Sequence, residues 1–381
     1  MATKCVQLLG AATARLATAG PPARPRTTST QETRDRSDGS SRLCPRGAVM
    51  DPAVFCSQAR VMIVAGKGGV GKTTVSAALA GMAARAGLRT MIIEVEGKSG
   101  LPAMFGLEES LSYHPTVLTE ARAATAGRAG SAEVLARTLT PDDALLEYLE
   151  DHGLKRISKR LTSTGTLEVV ATAIPGIKDI LVLGKVKQLE RQSAAGQSGA
   201  PEFIVVDAPA AGHAITFLAS AHGVLDAIGV GPIRGQASDV IELITDPTRC
   251  QVLLVTLPEE TPVNEVVETA FHLEDRAGVH LSPVVVNGVY PHLDLVPDAT
   301  AAAAEAGADL SGPEAEALDQ AAGFRRRRQE LQDHQIGRLA EGLPLTQLQL
   351  PFLFTTEVGP DDLELLVDAL TAAVTALPAP A

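Results

Sequence analysis

Apolar residues fall into short blocks separated by helix-length segments over most of the chain. Val61-Met62-Ile63-Val64-Ala65 is a continuous apolar run that stops at Gly66, as a strand buried on both faces should. Val75 to Ala86 then carries Ala and Leu at helical spacing and ends at Gly87, and Thr90-Met91-Ile92-Ile93 reads as the next buried strand. Phe203-Ile204-Val205-Val206, Gln251-Val252-Leu253-Leu254-Val255 and Val284-Val285-Val286 supply further strands. This order predicts an α/β fold, a mostly parallel doubly wound sheet with helices on both faces. Between residues 107 and 200 the pattern shows no strand. Pro141-Asp142-Asp143 opens a helix-like run through Leu154, Ile177 to Gln192 has mixed helical spacing, and Ser193 to Pro201 looks like a flexible return. An all-helical insertion over 107–200 is expected.

The first 49 residues are rich in Arg, Ser, Thr and Pro, lack hydrophobic periodicity, and are expected to form a disordered extension. Met50-Asp51-Pro52 is the preferred true start, with the folded domain over 58–381; mass spectrometry of the native N-terminus tests this. Aromatic residues make up 3% of the chain and Trp is absent, so the core must be built from Ala, Val, Leu and Ile. A formal charge of −12 argues against a general nucleic-acid-binding surface. Cys5, Cys44, Cys56 and Cys250 contain no C-x-x-C pair, which offers neither a disulfide framework nor a zinc or iron–sulfur site and fits a reducing cytoplasm. No integral membrane segment is expected, since the most apolar region, Phe203 to Ile233, is interrupted by Asp207, His213, His222 and Asp226.

The chemistry lies in Gly66-Lys67-Gly68-Gly69-Val70-Gly71-Lys72-Thr73-Thr74, placed between the first strand and the first helix. This is a phosphate-binding loop in its proper context, so the fold is read as a P-loop NTPase that binds ATP and Mg²⁺. Its glycines let backbone N–H groups curl around an anion, and the helix N-terminus adds its dipole. Lys72 can reach the β and γ oxygens, and Thr73 can ligate Mg²⁺. Asp207 ends a later strand, where a carboxylate either holds Mg²⁺ through water or caps the next helix; Gly212-His213 follows in the loop that would sense the γ-phosphate. His213 is either a phosphate contact or a structural residue behind the switch.

Lys67, opening Lys-Gly-Gly-x-Gly-Lys-Thr, marks the deviant P-loop group, which resembles ArsA, MinD, ParA and nitrogenase iron protein. Asp207-Ala208-Pro209-Ala210-Ala211-Gly212-His213-Ala214-Ile215-Thr216-Phe217-Leu218 resembles switch II of the ArsA family, and Ile174-Pro175-Gly176-Ile177 is similar to a segment of its helical insertion. Leu257-Pro258-Glu259, Val285-Val286-Asn287 and Leu350-Pro351-Phe352 are similar to the family's adenine-side elements. The resemblance covers about residues 58–375. It implies a Mg·ATP-hydrolysing nucleotide sandwich dimer in which Lys67 crosses to the neighbour's phosphates. It also implies that Asn287 reads the base edge and that the loop at Pro351 and Phe352 packs over it.

Departures bear on function. Glu96 falls on the position of the water-positioning aspartate of switch I and is either that residue or a strand-end surface glutamate; Ala208 and Ala211 replace switch II threonines. These losses keep open a hydrolysis-poor, nucleotide-switched scaffold, paired with an ArsA-like paralogue in a heterodimer rather than as a homodimer. Too few cysteines are available to collect arsenite. The insertion lacks Met, Phe and Trp, so its apolar positions read as internal core before a client groove; a hydrophobic client or membrane-protein partner stays open. A partitioning ATPase of the MinD or ParA kind would not need the insertion, and Asp361 to Ala381 has no Lys or Arg for a membrane-binding tail. Arg325 to Arg328 are expected to form a solvated helix face pairing with Glu330 and Asp333, with a phosphate or acidic-partner contact as the other reading.

Overall fold

In the computed structural model the described residues are 49–95, 100–124, 130–151, 176–230, 232–293 and 298–379. The expected N-terminal extension, Glu96 with the rest of 96–99, and residues 152–175 of the insertion lie outside them. A short helix α1 (Pro52–Ser57) leads into β1 (Val61–Gly66), α2 (Lys72–Arg85), β2 (Thr90–Val95) and a single turn α3 (Leu101–Met104). Next come β3 (Thr116–Thr119), β4 (Val134–Leu139), α4 (Pro141–Asp151), α5 (Ile177–Ala194), β5 (Phe203–Ala210), α6 (Ala211–Ala227) and α7 (Pro232–Ile244). The chain continues with β6 (Cys250–Thr256), α8 (Glu260–Ala277), β7 (Val284–Val289), α9 (Ala299–Glu305), α10 (Gly312–Gly342), β8 (Gln347–Pro351) and α11 (Pro360–Thr375).

The eight strands form one sheet in the order β3-β4-β2-β5-β1-β6-β7-β8, parallel except for β3, which runs antiparallel on β4. Alternate residues of each strand feed opposite cores, as a pleated sheet covered on both sides requires. Val61, Ile63 and Ala65 face a core completed by α5, α6, α7 and α8, whereas Met62 and Val64 face one completed by α2 and α11. α2 is buried nearly all round through Ala77, Ala78, Leu79, Ala80, Met82 and Ala83. Its small side chains let it lie close to the sheet centre.

The insertion is not all helical. β3 and β4 fall within 107–200, and β4 pairs with β2 in parallel along its whole length, from Thr90↔Val134 to Val95↔Leu139. The signal was obscured because Arg137 and Thr138 interrupt the apolar run, yet both are buried. Their burial is compensated by partners distant in sequence: the Arg137 guanidinium lies 4.4 Å over the Tyr113 ring, and the Thr138 hydroxyl donates to Glu94 at 2.8 Å. Beyond β4, the expected helices are present as α4 and α5.

Candidate functional site

Because β1, β2, β5, β6 and β7 run parallel, their C-terminal ends share one edge of the sheet, and the P-loop leaves β1 there. Gly66 has no alternative at this point, since a Cβ would stand 2.3 Å from the carbonyl oxygen of Val255 on β6. Gly71 is the N-cap of α2 with φ 88°, in the left-handed region where other residues are strained, and a Cβ there would meet Asn287 Nδ2 at 2.3 Å. Gly68 and Gly69 are exposed at the loop's tip, while Val70 is buried beneath it. Lys72 Nζ donates to the Lys67 carbonyl at 3.2 Å, which folds the lysine back over the loop. Lys72, Thr73 and Thr74 form the first turn of α2, so backbone donors and the helix dipole converge on the same space.

Asp207 lies directly beneath. Thr73 Oγ1 donates to its Oδ2 at 2.7 Å and Ser76 Oγ to its Oδ1 at 3.3 Å. It does not cap α6, whose N-cap is Ala210. Burial holds the Asp207 carboxyl above its ordinary range; Glu94 adds to this, while the Thr73 bond, Lys72 and Ser76 oppose it. One carboxylate beside one hydroxyl suits a hard cation that keeps waters and takes phosphate oxygens. Among the described residues no group of three or more His, Cys, Asp or Glu side chains is placed to hold a metal. The donors present therefore fit Mg²⁺ and do not fit a zinc-type centre.

Lys67 stands at the rim, its side chain 41% exposed, and its Nζ pairs with Glu265 Oε1 of α8 at 2.6 Å. Gly212 and His213 are exposed in the first turn of α6, and the His213 carbonyl accepts from Thr216 Oγ1 at 2.9 Å. On the other side of the loop, Asn287 Nδ2 donates to Val70 O at 3.0 Å. A Cβ on Gly288 would lie 3.5 Å from Leu257 and 3.7 Å from Phe352, which places these residues together beside Asn287. Pro351 ends β8, and the Phe352 amide donates to Val289 O. Phe352 meets Tyr290 edge-on at 4.8 Å, and Phe354 meets both rings. Glu259 accepts from Arg328 at 2.5 Å.

The arginine run does not pair as expected. Arg325 stacks at 4.3 Å on Tyr290 and donates to Pro291 O, and Arg328 is bound to Glu259. α10 packs against α8, so this side of the run turns inward and not toward Glu330 and Asp333. The structure also adds residues to the site. Ser76 follows Thr73 by one helical turn, and Glu94 is a carboxylate within a buried strand; a charge in an apolar run was the available signal.

A family model described as anion-transporting ATPase matches residues 59–228. ATPase BagA of Mycobacterium tuberculosis is 34% identical over 257 residues, spanning 66% of this chain and 72% of the relative. The chain belongs to the ArsA family of ATPases. Other relatives of this ArsA-family ATPase are a putative arsenical pump-driving ATPase of Halobacterium salinarum, 26% identical over 64% of this chain and 38% of the relative. The arsenical pump-driving ATPase of Escherichia coli is 29% identical over 60% of this chain and 34% of its own length. The family uses nucleotide. No helix among the described residues is long and apolar enough to cross a membrane.

Proposed function

We propose that this ArsA-family ATPase hydrolyses Mg·ATP as a nucleotide sandwich dimer and couples nucleotide state to the transport or delivery of a cargo. The observation that carries the reading is the Thr73–Asp207 pair, a hydroxyl and a carboxylate 2.7 Å apart beneath a glycine-rich loop bearing Lys72. In this reading the backbone donors of Gly66 to Thr74 hold the phosphates, and Lys72 exchanges the Lys67 carbonyl for β and γ oxygens. Thr73 and Asp207 hold Mg²⁺, which when bound neutralises charge on the β and γ phosphoryl oxygens. Glu96, outside the described residues, orients the attacking water and accepts its proton. Gly212 and His213 report the γ-phosphate to α6. Asn287, Glu259, Pro351 and Phe352 border the base. Lys67 leaves Glu265 and reaches the phosphates of the partner subunit.

Steady-state Mg·ATP hydrolysis of the chain starting at Met50, with subunit mass followed in parallel, tests this. Lys72→Ala, Lys67→Ala and Glu96→Gln should each abolish turnover, and Lys67→Ala should also abolish ATP-dependent dimerisation. Full turnover by a monomeric Lys67→Ala protein would sink the dimer. A second reading is favoured by Ala208 and Ala211, which stand where the family's switch II has threonines. Under it the chain is a slowly hydrolysing regulatory subunit of a heterodimer with an ArsA-like paralogue. Its expected signature is ATP binding without turnover alone, and turnover on mixing with the paralogue.

A further inference from the structure

Three strands present polar residues in one row under the P-loop. Parallel register pairs Thr138 of β4 with Glu94 of β2, and Glu94 with Asp207 of β5. Register partners on parallel strands point to the same face, and here that face carries α2 with Thr73 and Ser76. The row is hydrogen-bonded at both ends: Thr138 Oγ1 donates to Glu94 Oε2 at 2.8 Å, and Thr73 Oγ1 to Asp207 Oδ2 at 2.7 Å. Glu94 is 5% exposed and Asp207 6% exposed. Two buried carboxylate residues thus stand as register partners on adjacent strands, whose backbones are about 5 Å apart, where one would suffice to hold a partly hydrated cation. Burying a second charge beside a like charge is costly. The nearness of Glu94 is itself one cause of the raised proton affinity of Asp207.

We propose that Glu94 is a positioning residue of the cation site, a second carboxylate that acts through water and Asp207 and makes nucleotide binding depend on the divalent ion. With the cation present, its charge adds to the attraction that holds the metal beneath the phosphates. Without the cation, Glu94 and Asp207 together repel the triphosphate. The inference rests on the reading of Thr73 and Asp207 as the Mg²⁺ site. A unit charge within roughly 5–7 Å of a divalent ion, at an effective dielectric of about 20, exceeds the interaction needed for a tenfold change in affinity.

The test is equilibrium binding of a fluorescent ATP analogue to the full chain, in EDTA and across a Mg²⁺ titration, with Mn²⁺ binding followed by electron paramagnetic resonance. The quantity read is the ratio of affinities with and without the cation. Glu94→Gln keeps an acceptor for Thr138 and removes the charge. It should shrink the ratio by about tenfold or more, by tightening metal-free binding and raising the Mg²⁺ half-saturation. Glu94→Ser repeats the test with a smaller side chain, and a purely structural Glu94 would leave the ratio unchanged in both variants. Asp207→Asn separates the two levels of argument. Loss of the ratio in Asp207→Asn but not in the Glu94 variants overturns the role of Glu94. A ratio unchanged in Asp207→Asn overturns the assignment of the cation site on which it rests.

Discussion

Asn287 is where the structure and the family resemblance assign one side chain two tasks, and replacing it separates them. Its Nδ2 donates to Val70 O at 3.0 Å, and a carbonyl can only accept, so the amide's nitrogen must face the loop. Val70 is 2% exposed, so water is poorly placed to take over this bond. Asn287→Ala should therefore cost more than the bond's net worth, about 1–3 kcal/mol, because a buried carbonyl loses its donor. Urea denaturation of the nucleotide-free protein reads that loss. Gly71→Ala should act on the same contact, because its Cβ would stand 2.3 Å from Nδ2. It also forces a non-glycine residue into φ 88°, itself worth roughly 1–2 kcal/mol. The double variant should accordingly cost less than the sum of the two single ones. A slack P-loop should weaken ATP, GTP and ADP alike. Unchanged stability in Asn287→Ala, with a loss confined to ATP over GTP, would refute the bracing argument and leave Asn287 as a base reader alone.

Asp207→Asn should be at least as stable as the wild-type protein at pH 7 while losing Mg·ATP affinity. Burial raises the folded-state pKa of Asp207, so its contribution to stability is full below the unfolded carboxylate range and is lost as pH rises through the raised value. The variant's advantage should shrink toward pH 4, and urea midpoints between pH 4 and 8 showing a less stable variant at pH 7 would contradict this. Glu265→Gln frees Lys67 from its 2.6 Å partner. A half-exposed ion pair is worth about 0.2–1 kcal/mol, so the ATP concentration for half-maximal dimerisation should fall a few-fold by sedimentation, and a rise would show that Glu265 assists the dimer. Cys56 and Cys250 are buried, and burial pushes both thiols up to about 12. The chain starting at Met50 should take up neither iodoacetamide nor a phenylarsine at pH 8 by intact mass; rapid labelling of the folded protein would disprove it.

The parts legible in the sequence were those in which one strand or helix buries itself by its own composition. β1, with six buried residues in a row, and α2, with its small apolar side chains, are visible as patterns, and the P-loop between them names its chemistry by spacing. β4 was illegible for the opposite reason. Its buried Arg137 and Thr138 are met by Tyr113 and Glu94, and neither partner can be found from local periodicity. The same physics hid part of the site. Asp207 stood out at the end of an apolar run, but Glu94 gained its meaning only when the register of β2 against β5 set the two carboxylates side by side. The misread insertion and the missed carboxylate are therefore one event. Thr138 of the unrecognised strand bonds Glu94, so recognising β4 from its pairing, and not from its periodicity, is what brings Glu94 into view beside Asp207 in the candidate site.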